Sequence, residues 1–472
     1  MIKYLLTLSI LVFSAVSQPA PAGPEEARPN VIIIFTDDQG YQDLGCYGSP
    51  LIETPHLDQM ATEGIRLTNF YVTASICSPS RASLLTGRYP AQHGVGGVFF
   101  PDARGMAPQE VTMAEVVGQA GYRTACFGKW HLGDRPATLP TAQGFDVYFG
   151  IPYSNDMYIG ADQDFAEKVN WREGYSLAQA QADQALVKQY GKQRKFLKEK
   201  GIKELVPLFE GKKIVEYPAE QATLTQRYFE RAMEFIDEAQ SAEEPFFIYL
   251  TPAMPHVPLY ASDSFKGKSK RGIYGDVIEE IDHYVGELMG HLRAEGLEEE
   301  TMVIFTSDNG PWLNYEDLAG SALPLRDGKF SRYEGGVRVP CILRWPGTWS
   351  QGITSDEVIS TLDFLPTVAH YAGSKTSSQA LDGRNISSHL ETATPLAAAE
   401  LLYSRKQDFW GIRQGEWKYL THGGSRKATQ DSLPELFNLK ADPSESQNLM
   451  ATHPEVAARL AAKLEAMQQD SK

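Results

Sequence analysis

Cysteine is scarce in this sequence. The 472 residues contain only four cysteines, at positions 46, 77, 126 and 341. They are too few and too dispersed for a fold held together by disulfides. None of them has the Cys-x-x-Cys or Cys/His spacing of a structural zinc site. A hydrophobic core must therefore hold the fold, and each cysteine needs its own explanation.

Basic residues are fewer than acidic residues in this sequence. There are 44 Lys and Arg residues against 60 Asp and Glu residues, which gives a formal net charge of -16. This balance argues against the broad cationic surface of a nucleic-acid-binding protein, so we expect no nucleic-acid partner. Any anionic ligand must be bound by a local group of cations.

Long hydrophobic runs are absent after the N-terminus. Lys3 is followed by an apolar stretch over residues 4–16, and the segment ends in Ala15-Val16-Ser17. This pattern predicts a cleaved secretory signal over residues 1–17. The stretch is shorter than the roughly 20 residues of a membrane-spanning helix. We therefore expect an exported protein, periplasmic or secreted, with no integral membrane segment after signal removal.

The remaining pattern is that of an α/β protein. Short apolar runs predict buried parallel strands over residues 31–35, 123–127, 246–250, 302–306 and 339–343. Helical patterns lie between them, including a capping box from Thr112 to Glu115 and an apolar stripe over residues 277–292. The alternation predicts a large, mixed, mostly parallel sheet sandwiched by helices, in a main domain over residues 18–393.

Two regions depart from this alternation. Residues 162–218 are polar, and residues 188–213 contain nine Lys or Arg against three Glu. We expect this insertion to be a solvated helical segment, with substrate contact as the alternative. Short strand patterns over residues 417–420 and 435–439 precede a helical pattern that begins at Pro454. They predict a smaller C-terminal α+β subdomain over residues 394–472, with a small antiparallel sheet and a terminal helix.

Polar side chains follow four of the predicted strands. Because the carboxyl ends of parallel strands share one edge of a sheet, these side chains should meet in one crevice. They are Asp37, Asp38, Lys129, His131, His256, Asp308 and Asn309.

Four of these residues offer only oxygen ligands that suit a hard cation. Asp37, Asp38 and Asp308 supply carboxylates, and Asn309 supplies an amide oxygen. Such ligands favour Ca²⁺ or Mg²⁺ over zinc. The neutral Asn309 also leaves a bound cation more positive toward an anionic substrate. The two pairs together predict one shared divalent-cation site.

The segment that begins at Cys77 carries a more specific pattern. Cysteine, proline and arginine stand at fixed offsets in Cys77-x-Pro79-Ser80-Arg81, followed by Leu85-Thr86-Gly87. Packing alone does not explain this combination. It resembles the signature of the formylglycine-dependent sulfatases, the arylsulfatase-like members of the alkaline phosphatase superfamily, in which the cysteine is oxidised to an aldehyde after translation.

Further motifs of that family occur in matching order along nearly the whole mature chain. They are Asp37-Asp38, Gly128-Lys129-Trp130-His131, Pro255-His256-Val257-Pro258, Asp308-Asn309-Gly310-Pro311, Gly328-Lys329, Glu334-Gly335-Gly336 and Leu436-Phe437-Asn438-Leu439. The resemblance implies a formylglycine-generating maturation enzyme as a partner. It also implies that residue 77, once modified, joins Asp37, Asp38, Asp308 and Asn309 around the metal, with Ca²⁺ expected more than Mg²⁺.

The resemblance further implies a role for each remaining motif residue. The hydrated aldehyde at residue 77 would attack sulfur with one hydroxyl and expel the bound sulfate through the other. Arg81 would hold this diol, and Lys129 and Lys329 would offset negative charge on the sulfuryl oxygens. His131 would accept a proton from the second hydroxyl, and His256 would protonate the leaving alcohol.

The expected activity is the removal of sulfate from an extracellular sulfated carbohydrate. Three other functions remain open at this point: a phosphate or phosphonate ester hydrolase on the same scaffold, a cysteine hydrolase that pairs Cys77 with His131 or His256, and a non-catalytic sulfated-glycan binding protein. Residues 150–156 also resemble a substrate-side segment of the arylsulfatases, although histidine often stands there at the position of Asn155.

Overall fold

The computed structural model describes residues 28–376 and 379–470. The predicted signal, residues 1–17, lies outside the described residues. Within the described part of the chain, no helix is both long enough and apolar enough to cross a membrane.

The strands are β1 (Asn30–Thr36), β2 (Ile65–Leu67), β3 (Phe70–Tyr71), β4 (Arg123–Gly128), β5 (Val147–Gly150), β6 (Phe165–Trp171), β7 (Leu208–Glu210), β8 (Lys213–Tyr217), β9 (Phe246–Thr251), β10 (Thr301–Ser307), β11 (Cys341–Arg344), β12 (Ile353–Ser355), β13 (Ile359–Ser360), β14 (Glu400–Arg405), β15 (Asp408–Gln414), β16 (Trp417–Leu420) and β17 (Glu435–Asn438).

The α-helices are α1 (Pro55–Thr62), α2 (Cys77–Thr86), α3 (Pro90–His93), α4 (Met113–Gly118), α5 (Leu177–Tyr190), α6 (Arg194–Glu199), α7 (Leu224–Ser241), α8 (Ile273–Ala294), α9 (Glu334–Val337), α10 (Phe364–Tyr371), α11 (Ser387–Thr392) and α12 (Pro454–Asp470).

The architecture confirms the predicted fold class. Eleven strands form one sheet in the order β12-β2-β11-β10-β1-β9-β4-β5-β7-β8-β6. The five neighbours from β10 to β5 all pair in parallel. Antiparallel pairings occur on both sides of this central group. A separate antiparallel sheet of four strands follows, in the order β14-β15-β16-β17.

Helices cover both faces of the large sheet. Successive side chains of a strand point to opposite faces. Accordingly, Ile33 and Phe35 of β1 belong to one hydrophobic core, and Ile32 and Ile34 belong to a second. Residues of α2, α4 and α10 contribute to the first core, and residues of α7 and α8 to the second. This two-sided burial explains why β1 is an uninterrupted apolar run.

One strand runs opposite to its prediction. The sequence pattern predicts a parallel strand over residues 339–343, but β11 pairs antiparallel with β10. Between β10 and β11 the chain forms only short helical turns, such as α9. A parallel pairing needs a crossover that returns the chain to the opposite edge of the sheet. Without that crossover, β11 starts at the carboxyl edge and must run back.

The polar insertion is also more than a solvated helical segment. Residues 162–218 include the helices α5 and α6, but also β6, β7 and β8, which extend the large sheet at one end. Phe209 and Ile214 are buried there. Charged residues dominate the composition of this segment, so these few apolar side chains do not stand out in the sequence.

A buried ion cluster connects the small sheet to helix α9 of the main domain. The Lys418 ammonium on β16 lies 2.9 Å from a carboxylate oxygen of Glu334, at the start of α9, and 2.9 Å from one of Glu445. All three side chains are fully buried. Burial raises the pKa of Glu445 to about 7. Burial also acts on Glu334, but there Lys418 and Arg413 outweigh it and lower the pKa to about 2.

We expect Lys418→Met to destabilise the protein strongly. The substitution keeps an unbranched apolar stem but leaves Glu334 and Glu445 without their shared cation. Removing one partner of a buried ion pair typically costs about 3–5 kcal/mol. Urea unfolding measures the free energy of unfolding, with Lys440→Met as the exposed control. A loss no larger than that of the control would show that the cluster does not stabilise the contact between the small sheet and α9.

Candidate active site

The predicted site residues lie at the carboxyl edge of the parallel strands. Asp37 follows β1, Lys129 follows β4, and Asp308 follows β10. The loop after β9 carries His256. The strand order β10-β1-β9-β4 places these four strand ends side by side. The topology therefore brings together residues that are far apart in the sequence.

Helix α2 adds Cys77 and Arg81 to this edge. The helix begins at Cys77 and ends before Gly87, whose φ of 66° is a left-handed conformation that glycine adopts without strain. Arg81 is one turn after Cys77, so both side chains lie on the same face. Both are buried. The partial positive charge of a helix N-terminus favours negative charge at residue 77.

The carboxylates lie close enough together to hold a metal ion. One possible ligand atom from each of Asp37, Asp38, Cys77 and Asp308 lies within 4.8 Å of the others. Asn309 Nδ2 donates to Asp38 Oδ1 at 2.6 Å. The Asn309 Oδ1 atom is buried and has no hydrogen-bond partner in the described part of the chain. An orphaned acceptor beside three carboxylates fits a hard cation.

Three cations balance the three carboxylates. Arg81 binds Asp308 through Nε at 2.9 Å and Nη2 at 2.8 Å. Lys129 Nζ binds Asp37.

The third cation is Lys329. Its Nζ lies 2.6 Å from Asp38 Oδ1, and it also lies 4.7 Å from the centre of the Trp312 ring. The crevice thus contains anionic ligands for a cation together with cations that can contact an anionic substrate.

Burial and neighbouring charges shift the pKa values of the carboxyl groups in different directions. Burial tends to raise the pKa of Asp37, but Lys129, His256 and Arg81 outweigh it and hold that pKa well below its usual range. Burial and the Asp37 charge raise the pKa of Asp308 to about 7, against the opposing effect of Arg81. Asp37 is therefore the most strongly ionised of these carboxyl groups.

The Cys77 thiol is held in its neutral form. Its Sγ lies 3.3 Å from Asp37 Oδ1, as a donor, and accepts from Lys329 Nζ at 3.4 Å. Burial, Asp308 and Asp37 raise the pKa of this thiol well above its usual value. A thiolate nucleophile is disfavoured here, because burial and the two carboxylates outweigh the nearby lysines and oppose a negative charge on sulfur.

His131 offers a free ring nitrogen. Nε2 lies 3.0 Å from the carbonyl oxygen of Phe99, which can only accept, so the proton is assigned to Nε2. Nδ1 is buried and has no hydrogen-bond partner among the described residues. Burial and Lys129 lower the pKa of His131 far below its usual value. The ring is therefore a neutral imidazole with an available lone pair.

His256 is oriented by the segment after β5. Its Nδ1 lies 3.1 Å from the Asn155 amide oxygen, and its Nε2 lies 3.6 Å from Asp38 Oδ2. Ser154 Oγ lies 3.2 Å from Nε2 and also accepts from Lys129 Nζ at 3.3 Å. Burial and Lys329 lower the pKa of His256 well below its usual value.

Ser154 is a site residue that the sequence reasoning missed. It touches both Lys129 and His256. The strand-end rule could have found it, because it follows β5, the next strand of the sheet after β4. Asn155, by contrast, is fully buried and donates to the carbonyl oxygen of Pro258 at 2.8 Å. Asn155 therefore positions the loop that carries His256.

The structure thus brings the sequence-predicted residues into one crevice. Direct contacts link all of them except His131. His131 lies two residues after Lys129 in the chain and interacts electrostatically with Asp37. Their chemical roles remain predictions.

Comparison with known proteins agrees with this arrangement. The family model described as Sulfatase matches residues 29–374, and the model described as N-sulphoglucosamine sulphohydrolase, C-terminal, matches residues 326–470. The chain belongs to the sulfatase family. Its activity is therefore that of a sulfuric ester hydrolase.

Two relatives and one solved structure show the extent of the likeness. This sulfatase is 38% identical to human (Homo sapiens) arylsulfatase A, over 91% of this chain and 85% of the relative. It is 32% identical to N-acetylgalactosamine-6-sulfatase of the dog, Canis lupus familiaris, over 92% and 84%. The crystal structure of Ps i-CgsB in complex with k-i-k-neocarrahexaose superposes with a TM-score of 0.74 at 29% identity, and 94% of each chain is covered.

Proposed function

We propose that this sulfatase is exported and removes sulfate from an extracellular sulfated carbohydrate, using a formylglycine at residue 77 and one Ca²⁺ ion. The observation that carries the proposal is the position of Cys77. Its buried side chain lies at a helix N-terminus, against Asp37 and Lys329, beside an oxygen-rich cation site. That position suits an oxygen nucleophile close to a metal.

The contacts of Cys77 argue against a cysteine hydrolase. Its thiol donates to a carboxylate and its pKa is raised, so it would be a poor nucleophile without modification. Conversion to an aldehyde removes this difficulty. When hydrated, the aldehyde supplies one hydroxyl that attacks sulfur and a second whose deprotonation releases the sulfate.

Asp37, Asp38, Asp308 and Asn309 would hold the metal together with an oxygen of the modified residue 77. A bound divalent cation lowers the proton affinity of the attacking hydroxyl and polarises a sulfate oxygen. We favour Ca²⁺ because all the proposed ligand atoms are hard oxygens and come from three separate segments. Ca²⁺ accepts such variable geometry more readily than Mg²⁺, which demands a near-ideal octahedron.

The cations would bind the anionic groups of the reaction. Arg81, fixed by two bonds to Asp308, would hold the modified residue 77 from the same helix face. Lys129 and Lys329 would contact the sulfuryl oxygens and offset their charge in the transition state. Both ammonium groups are buried, so their charges act in a weakly screening environment.

The two histidines would carry the protons. His131 would accept a proton from residue 77 at Nδ1, the nitrogen that is free of other hydrogen bonds. His256 donates its Nδ1 proton to the Asn155 amide oxygen, so it would protonate the leaving alcohol oxygen from Nε2 as an imidazolium, a form that a bound sulfate anion favours. Fixed roles of this kind require that each ring be held in one orientation.

A second cleft supports a carbohydrate polymer as the substrate. A cavity of about 800 Å³ lies between the loop around Phe100 and the turn that joins α5 to α6. Lys188, Lys192 and Arg194 line it together with Asp102 and Asp162, and Lys188 is paired with Asp162. Phe99, which lies between the lining residues Val98 and Phe100, accepts the hydrogen bond from His131 through its carbonyl oxygen. The cleft therefore lies beside the site, where further sulfates of a chain could bind. In the solved relative Ps i-CgsB, the bound ligand is an oligosaccharide.

We expect Cys77 to be converted to formylglycine in a host that has the maturation enzyme. Replacement of the thiol by an aldehyde lowers the mass of the tryptic peptide over residues 67–81 by about 18 Da. Mass spectrometry measures this shift, and the Cys126 peptide serves as the unmodified control. Cys77→Ala should abolish turnover while the melting temperature stays close to that of the wild type. Full activity with an unmodified thiol would contradict the proposal.

We expect one Ca²⁺ per chain. Elemental analysis of the purified protein measures the stoichiometry, and treatment with EGTA should remove both the metal and the activity. Ca²⁺ should restore activity better than Mg²⁺, since the ligand set lacks imposed octahedral geometry. Asp308→Asn should lose the metal, whereas the exposed control Asp263→Asn, which belongs to no group of possible metal ligands, should retain it. A metal-free preparation with full activity would rule out the cation site.

The carbohydrate assignment predicts a salt-dependent contact with the cleft. Exposed charges are screened over about 8 Å at physiological ionic strength. Added salt should therefore raise KM for a sulfated oligosaccharide more than KM for a small aryl sulfate. Lys192→Glu with Arg194→Glu should do the same.

The matched control is Lys195→Glu with Lys198→Glu, an equal charge change on the same segment but outside the cleft. Equal effects of the two double variants would show that the cleft does not bind substrate. Turnover of phosphate or phosphonate monoesters in preference to every sulfate ester would overturn the substrate class itself.

A further inference from the structure

A small cationic cavity lies against the candidate active site, on the side of the C-terminal sheet. Its volume is about 200 Å³. One wall contains Ser75 and Ile76, which precede Cys77, and Phe330, which follows Lys329. The Phe330 N–H donates to the carbonyl oxygen of Ser75 at 2.9 Å. The cavity and the site therefore share the two segments that carry Cys77 and Lys329.

Four cations line this cavity. They are Arg332, Arg405, Lys406 and Arg426, and the cavity lining includes no acidic residue. Within residues 28–376 and 379–470, no carboxylate oxygen lies within 4.0 Å of any of these four cationic groups. Such a concentration of unpaired positive charge is unexpected in a protein with a net charge of -16.

Nearby acidic groups are engaged elsewhere. Glu435 acts on Arg332 electrostatically, but its carboxylate accepts hydrogen bonds from the Tyr333 hydroxyl at 2.9 Å and from the Gly424 N–H at 2.8 Å. Asp327 also faces Arg332, and its Oδ1 accepts from the Gly328 N–H at 2.9 Å. Neither carboxylate closes a salt bridge with the cavity cations.

Arg332 is the most constrained of the four. It is only 3% exposed. Its Nη2 donates to the carbonyl oxygen of Ser425 at 2.7 Å, while its Nε has no partner in the described part of the chain. The Trp410 ring lies 4.9 Å from the Arg332 guanidinium and 4.2 Å from that of Arg405. Arg405 also repels the charge of Arg332, and a bound anion would offset that repulsion.

Three of the four cations come from different segments of the chain and are held by hydrogen bonds. Arg405 ends β14 and donates to the carbonyl oxygen of Ala428. Arg426 lies in the loop between β16 and β17 and donates to Asn314 Oδ1. The guanidinium groups are thus already ordered around the cavity. A guanidinium offers a planar fork of donors that matches sulfate and carboxylate oxygens.

We propose that this cavity binds a second anionic group of the same substrate molecule whose reacting sulfate lies at residue 77. The group is a sulfate or a carboxylate on a neighbouring position of the carbohydrate. This inference rests on the proposed function, because it concerns the part of the substrate outside the catalytic pocket. It makes the enzyme selective for substrates that carry at least two anionic groups.

A pair of synthetic reporters tests the cavity without requiring any sugar. Both reporters are aryl sulfates with an alkyl tether; one tether ends in a sulfonate and the other in a neutral methyl sulfone of similar size. A series of tether lengths is used, because the second group must reach the cavity. The measured quantity is the ratio of kcat/KM for the charged reporter to that for the neutral one.

We expect at least one tether length to give a ratio of about ten, the size of an effect from a charge-assisted hydrogen bond. Arg405→Gln with Arg426→Gln should reduce this ratio toward one and leave the kcat/KM of the neutral reporter unchanged. Lys427→Gln is the matched control, because Lys427 adjoins Arg426 but does not line the cavity. It should retain the ratio.

Two results would overturn the proposal: no tether length is preferred in its charged form, or the preference survives in the double variant. A cavity that serves free anions would instead bind inorganic sulfate in the absence of substrate, in calorimetry, and show no reporter preference; that result also overturns it. Failure of the proposed carbohydrate activity is seen separately, as absence of sulfate release from every sulfated oligosaccharide while the reporters are hydrolysed.

Discussion

Balance between buried charges of opposite sign is the constraint on which the rest of this site depends. Asp37, Asp38 and Asp308 lie beside three cationic side chains in a space with almost no solvent exposure. Each charge is tolerable only because its partners are present, since an uncompensated buried charge costs several kcal/mol. The partners come from segments separated by up to about 290 residues, so the correct strand order must form before the balance exists. Folding and assembly of the site are therefore the same event.

The same contacts hold backbone conformations that are unfavourable in isolation. Asp38 and His131 have φ values of 63° and 59°, in the left-handed region. The Asp38 N–H is bound by Asp308 Oδ1 at 3.2 Å, and the His131 N–H by the carbonyl oxygen of Pro152 at 3.1 Å. The left-handed conformations of Asp38 and His131 turn the chain away from the direction of the preceding strands. Local strain is offset by contacts that only the assembled edge provides.

The C-terminal sheet contributes more than a cover for the main domain. Along one short segment, Lys329 contacts Asp38, Arg332 lines the cationic cavity, and Glu334 joins the buried cluster of Lys418 and Glu445. The buried cluster thus fixes, through the backbone, the segment that supplies both the catalytic pocket and the cavity. Because this cluster is fully desolvated, it is far less sensitive to salt than a surface ion pair. The position of the small sheet is accordingly part of the geometry of the site.

The sequence by itself determined the fold class, the strands that precede the polar clusters, and the chemical types gathered at Asp37, Cys77 and Asp308. Those features are local, because apolar runs, strand ends and motif spacing can be recognised in the linear sequence. Only the tertiary structure decided the reversed direction of β11, the strands within the polar insertion, the contacts of Ser154 and the cationic cavity around Arg332. Each of these depends on contacts between distant segments. No local pattern records such contacts, because the energy that selects them is released only when the segments pack.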